Sequence, residues 1–274
     1  MSFLALEDKN IVLMGVANRR SVAWAAAQAL QEAGANILYV FKDQELLQKN
    51  RSLIGEQANA ITCNVESEEE MADFGTAVAA FMPKVDGLLH SIAFANFSEG
   101  VKPFHATTKK DFLQAVDISC FSLLQACNQL KTLFSANASI VTMSISSTRM
   151  ASENYGYMGP VKAALDSSVA FLAKSLSSEV SPCIRVNAVG AGLLRTSSSA
   201  GIPGYLDAYL YAEKVIPRQS SLETAEVANV LVFLLSTCSS GINAQTLVVD
   251  AGMGVNYFDR EILRIVSRDD QSCS

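Results

Sequence analysis

The chain has 274 residues, half of them apolar, enough for one large domain with a substantial core. A net charge of −6 and a pI near 5.0, with no basic cluster, exclude nucleic-acid binding by phosphate neutralisation and point to a small molecule or a protein partner. The six cysteines, at 63, 120, 127, 183, 238 and 273, form no C-x-x-C pair, and His90 and His105 are too far apart in sequence for a metal centre. Reduced thiols and no metal site are therefore expected. The opening "MSFLALEDKN" lacks a basic segment followed by an apolar run, and no run of about 18 apolar residues occurs, so a cytoplasmic protein without membrane contact is expected.

In chain order, short apolar runs predict strands at 10–15, 36–41, 60–63, 87–94, 139–145, 184–192 and 245–250, each reading as buried on both faces. Between them, apolar residues recur at helical spacing over 21–34, 68–82, 111–130, 159–180 and 224–236. This alternation predicts an α/β fold: a single-domain, Rossmann-type, doubly wound parallel sheet of about seven strands with helices on both faces. Neither a Pro/Gly-rich linker nor an internal repeat divides it. Residues 195–221 break the alternation and are read as a lid.

The first strand runs into a turn at Gly15 and a helix beginning near Ser21, the layout in which helix N–H groups meet a pyrophosphate. It is not the three-glycine fingerprint, since Ala17 and Ser21 occupy positions where glycine is usual, and a purely structural turn would also explain Gly15. Arg19 and Arg20 either reach phosphates or are solvated. After the second strand, Lys42 favours NADPH over NADH, because a cation there pairs with a 2′-phosphate, whereas a carboxylate there accepts from the 2′-OH. Asp43 follows and either opposes Lys42 or caps the next helix.

In "NYGYMGPVKAAL" (154–165), helical geometry of about 100° per residue puts Tyr155 and Lys162 within about 20° of one line and Tyr157 about 140° away. An adjacent ammonium would lower the phenol pKa and let Tyr155 act as an acid. The alternative is a half-buried tyrosine and a solvated lysine sharing a helix face.

Taken together, "GVANRRSVAWAAA", "HSIAFA", "YGYMGPVK" and "VNAVGAGLLRT" resemble the bacterial enoyl-acyl-carrier-protein reductases, the divergent branch of the short-chain dehydrogenase/reductase superfamily. The similarity runs from about Leu6 to about Phe258, which defines a catalytic domain over 1–258 and leaves a tail at 259–274. The resemblance implies reduction of the trans-2 double bond of an enoyl thioester, carried by acyl carrier protein or coenzyme A, in fatty acid biosynthesis, by a homotetramer. It places Gly15, Ser21 and Val22 at the pyrophosphate, Asn64 and Val65 at the adenine, and Ser91, Ile92 and Ala93 beside the cofactor. Leu194 and Thr196 meet the nicotinamide end, Lys162 binds the nicotinamide ribose, and Tyr155 donates to the substrate in a Tyr-x6-Lys arrangement. Met158 stands where ordinary members of the superfamily carry a Tyr-x3-Lys tyrosine.

Three departures stand out. Ile145 replaces a second tyrosine of the substrate pocket, with Ser144 and Ser146 flanking it on alternate strand faces. Leu193 replaces a proline, which predicts a looser start to the lid, and the lid stretch offers Pro203, Leu206 and Asp207 where the family often has basic residues for the carrier protein. They leave room for a diverged reductase of secondary metabolism or of carbonyl substrates. Retention of Tyr155 and Lys162 counts against a third reading, a regulatory or structural cofactor-binding protein without catalysis.

Overall fold

The computed structural model describes residues 3–269, apart from 99, 101, 152–154, 197, 198, 200, 201, 203 and 257. The strands are β1 (Asn10–Met14), β2 (Asn36–Phe41), β3 (Ala60–Thr62), β4 (Val85–His90), β5 (Phe134–Ile145), β6 (Arg185–Ala191) and β7 (Thr246–Val249). They form one sheet of order β3-β2-β1-β4-β5-β6-β7, parallel throughout. The order reverses between β1 and β4, so a crevice opens at their C-terminal ends, where doubly wound sheets bind ligands.

Alternation of side chains divides the core between the two sheet faces. Val12, Met14, Leu88 and Ile140 pack on one side, under α3 (Glu68–Ala79), α5 (Ser122–Leu130) and α6 (Met158–Glu179). Ile11, Leu13, Leu89 and Val141 pack on the other, under α1 (Val22–Glu32) and α8 (Thr224–Leu235). These are the helices expected from the apolar spacing, with three differences. The stretch read as one helix over 111–130 is α4 (Lys109–Val116) and α5 joined by a π turn at Asp117–Phe121. An amphipathic α2 (Gln44–Ile54) follows β2, capped by Asp43, whose carboxylate accepts from the Leu46 N–H at 2.8 Å. The lid and tail each carry a helix, α7 (Tyr205–Val215) and α9 (Arg260–Asp269), although Pro203 and the last five residues lie outside the described set.

The end of α8 is tied to the start of β6 by Arg185, a buried guanidinium donating to four neutral oxygens. They are the Ser239 hydroxyl (2.8 Å) and the carbonyls of Leu234 (3.1 Å), Ser236 (3.0 Å) and Ile242 (3.4 Å). A cation at a helix C-terminus satisfies carbonyls that no helical N–H reaches and opposes the negative end of the dipole. Arg185→Met should lower unfolding free energy by about 2–4 kcal/mol in denaturant titrations, because buried carbonyls lose their donors, and Arg185→Lys should recover part of the loss.

Candidate functional site: a cofactor cleft joined to an apolar cavity

Two adjoining cavities occupy the crevice. The smaller, about 310 Å³, lies over the ends of β1, β2, β3 and β4 and is lined by Gly15, Ser21, Val22, Lys42, Asn64, Val65, Ser91, Ile92, Ala93 and Thr196. The larger, about 810 Å³ and mainly apolar, is lined by Ile145, Tyr155, Met158, Lys162 and Leu194 among others. Val22, Ala93, Met143 and Thr196 border both. All the site residues expected from the sequence thus meet in one continuous space.

At the switch point the backbones after β1 and β4 nearly touch. Gly15 has φ +108°, and a Cβ there would fall 2.1 Å from the Ser91 carbonyl oxygen. Only glycine fits. Beyond it, Ser21 flanks the start of α1, and its hydroxyl donates to the Asn18 carbonyl at 2.7 Å instead of capping the helix. The first-turn N–H groups of such a helix suit an anion. Beyond the end of β3, Asn64 Oδ1 accepts from the Glu66 N–H at 3.2 Å, fixing the turn there, while the Asn64 N–H donates to Glu70 at 2.7 Å. Lys42 is paired with Glu66, a residue that sequence reasoning missed because nothing in its spacing marks it.

Lys162 is buried on α6, and its Nζ donates to the Met143 carbonyl at 2.7 Å. Burial pulls its pKa down to about 8, although Asp166 and Cys120 act to raise it. An ammonium has three donors, so this one can donate to two further oxygens, such as those of adjacent ribose hydroxyls. Together with the glycine cradle, it makes the crevice fit a dinucleotide. His90, also buried, lies between Thr142 Oγ1 (3.0 Å) and Ser122 Oγ (2.8 Å); burial, and then the Lys162 charge, lower its pKa to about 3, so it stays neutral.

Two expectations about Tyr155 need correction. Helix α6 begins at Met158 and Gly156 has φ +52°, so Tyr155 precedes the helix and the angular count does not apply. Its pKa is raised, by burial first and then by Tyr205, whereas an adjacent ammonium was expected to lower it. Burial of the phenol is the dominant cause. Tyr155 is therefore a neutral hydroxyl donor within the cavity. Tyr157 is structural, its hydroxyl accepting from the Asn96 N–H (2.8 Å) and donating to the Asn96 carbonyl (3.1 Å).

Ile145 ends β5, and Ser144 and Ser146 border the same cavity. Among the described residues the buried Ser144 hydroxyl has no hydrogen-bond partner. Leu193 does not leave the lid entrance unsupported. The Tyr205 hydroxyl on α7 accepts from the Leu194 N–H and donates to the Leu194 carbonyl, both at 2.9 Å.

Burial destabilises Lys162 whenever it is charged. Its folded pKa lies below the 10.5 of an ordinary lysine, so the destabilisation is full below about pH 8 and is relieved as pH rises from there towards 10.5. Lys162→Met should raise stability at pH 7 by about 1–3 kcal/mol, and thermal melts should show the gain shrinking between pH 8 and 10.

Comparison with known proteins fits this geometry. Residues 15–254 match the family model described as enoyl-(acyl carrier protein) reductase. The chain is 38% identical over 254 residues to the NADH-dependent enoyl-[acyl-carrier-protein] reductase FabI of Nostoc sp., covering 91% of this chain and 97% of that protein. It is 33% identical to the NADPH-dependent FabI of Staphylococcus aureus strain MRSA252, over 91% and 98% of the two chains. The crystal structure of the NADH enzyme from Aquifex aeolicus superposes with a TM-score of 0.87 at 28% identity, over 93% of this chain and 99% of that one. The cleft, the cavity and these matches together make the chain a member of the enoyl-acyl-carrier-protein reductase family.

Proposed function

We propose that this protein reduces the trans-2 double bond of an enoyl thioester in fatty acid biosynthesis, with NADPH or NADH as reductant. The observation that carries the reading is that the cleft adjoins the larger cavity, in which Tyr155 and Lys162 line the space an acyl chain would share with a nicotinamide. The bound cofactor supplies a hydride to the β-carbon. Lys162 holds the nicotinamide ribose. Tyr155 donates its hydroxyl proton in a hydrogen bond to the thioester oxygen, where charge develops as the enolate forms, and its raised pKa keeps that donor present at working pH. Gly15, Ser21 and Val22 receive the pyrophosphate, Asn64 and Val65 the adenine, and Ser91, Ile92 and Ala93 the dinucleotide's flank, with Leu194 and Thr196 at the nicotinamide amide. Ile145 and Met158 give the acyl chain an apolar wall.

Residues 1–258 form the catalytic domain, with 195–221 as the lid. Lys42 favours NADPH, and the capping role of Asp43 supports this, because the carboxylate next to Lys42 in the sequence is turned to α2. The thioester is carried by acyl carrier protein or coenzyme A; exposed Leu206 and Tyr211 on α7 offer a carrier an apolar rather than a basic surface.

Tyr155→Phe should cut turnover on crotonyl thioester by about 10²-fold with little change in cofactor affinity, whereas Lys162→Ala should lose both. Stopped-flow and steady-state assays separate the two; undiminished turnover in Tyr155→Phe would move the donor role to Ser144.

The assembly we infer is a homotetramer. The edge strand β7 and the segment after it expose Val248, Val255 and Phe258, and a second face exposes Phe121 and Phe171. Two distinct apolar faces suit the separate two-fold interfaces of a symmetric tetramer. Sedimentation at micromolar concentration should give a single tetramer boundary, and a monomer would overturn the assignment. No helix among the described residues is long and apolar enough to cross a membrane.

A further inference from the structure

Lys42 does not face the cofactor cleft alone. Its Nζ lies 3.4 Å from Glu66 Oε2, with the lysine side chain 57% and the glutamate 27% exposed. The carboxylate is held from its other side, where Gln114 Nε2 on α4 donates to Oε1 at 2.7 Å. Both Lys42 and Glu66 line the cleft at its adenosine end. The negative field of Glu66 also reaches across the site. The Asp117 carboxyl is pushed above its ordinary pKa by burial and then by the charges of Glu66 and Glu68. Asp43, for which the sequence left opposition to Lys42 and a cap on the next helix both open, is committed to the α2 cap.

We propose that Glu66 tunes the cofactor preference by occupying the Lys42 ammonium, so that a 2′-phosphate gains its cation only by breaking an existing ion pair beside a carboxylate. The 2′-hydroxyl of NADH makes no such demand. Glu66 therefore narrows the advantage that Lys42 gives NADPH and keeps NADH usable by the same site. Gln114 makes the competition persistent, since it fixes the carboxylate within reach of Lys42 instead of letting it swing to solvent. The inference rests on the reading that Lys42 meets the 2′-phosphate.

The test is a double-mutant cycle read by calorimetric binding of NADPH and of NADH to the full chain. Glu66→Gln retains the acceptor for Gln114 and removes only the charge. A half-exposed pair is weakly coupled, so NADPH should bind about three- to tenfold more tightly in Glu66→Gln, with NADH changed less than about twofold, and added salt should shrink the difference. In a Lys42→Ala background the same substitution should lose most of its gain. Equal tightening of both cofactors, or an unchanged NADPH/NADH ratio, overturns the proposal. A gain that persists without Lys42 also overturns it, by reducing Glu66 to simple repulsion. If Lys42→Ala weakens both cofactors alike, the Lys42 reading falls and takes this one with it. If Lys42→Ala weakens NADPH selectively while Glu66→Gln changes nothing, only the role of Glu66 falls.

Discussion

The site depends on the contact between two backbones at the point where the strand order reverses. Gly15 and Ser91 close to a distance that no side chain at Gly15 would allow, and that closeness sets how the ends of β1 and β4 frame the crevice. An added Cβ would drive the two strand ends apart, and the groups they position would move with them: the start of α1 on one side and Ser91–Ala93 on the other. The cleft is thus a product of sheet topology fixed locally by one residue type.

The two buried cations show how differently a protein can treat the same charge. Arg185 is surrounded by oxygens and stitches α8 to β6, so its burial is compensated by hydrogen bonds. Lys162 has one backbone acceptor and donors to spare. A group left under-satisfied in the free protein is poised for a ligand that completes it, the usual signature of a binding site as opposed to a structural clamp.

Most of the fold was legible because strands buried on both faces write continuous apolar runs and the helices between them repeat every three to four residues. The residues around the crevice were legible through the family resemblance and through the Gly15 turn. Three things were not. Tyr155 lies outside the helix because Gly156 adopts a positive φ, which helical arithmetic has no means to register. The phenol pKa follows desolvation, a property of the assembled cavity rather than of sequence spacing. The Lys42–Glu66 pair joins residues from the ends of two strands, with Gln114 arriving from α4, so only tertiary structure brings them together.

The π turn at Asp117–Phe121 has a consequence for the register of the whole α4–α5 rod. A π turn takes in one residue more than an α turn, so it absorbs an extra residue that would otherwise swing everything downstream by about 100°. Upstream of the turn Ala115 faces the core. Within it Ile118 reaches the cofactor cleft, and Ser119 clasps Phe94, accepting from its N–H at 2.9 Å and donating to its carbonyl at 3.2 Å. Downstream, Leu123, Ala126, Cys127 and Leu130 return to the core. Loss of a single residue from this turn would let it close to an α turn with the apolar stripe of α5 still facing α3 and the sheet, at the cost of the Ser119 clasp on Phe94. Loss of a residue from α5 itself, with no wide turn to absorb it, would swing the residues beyond it by about 100°.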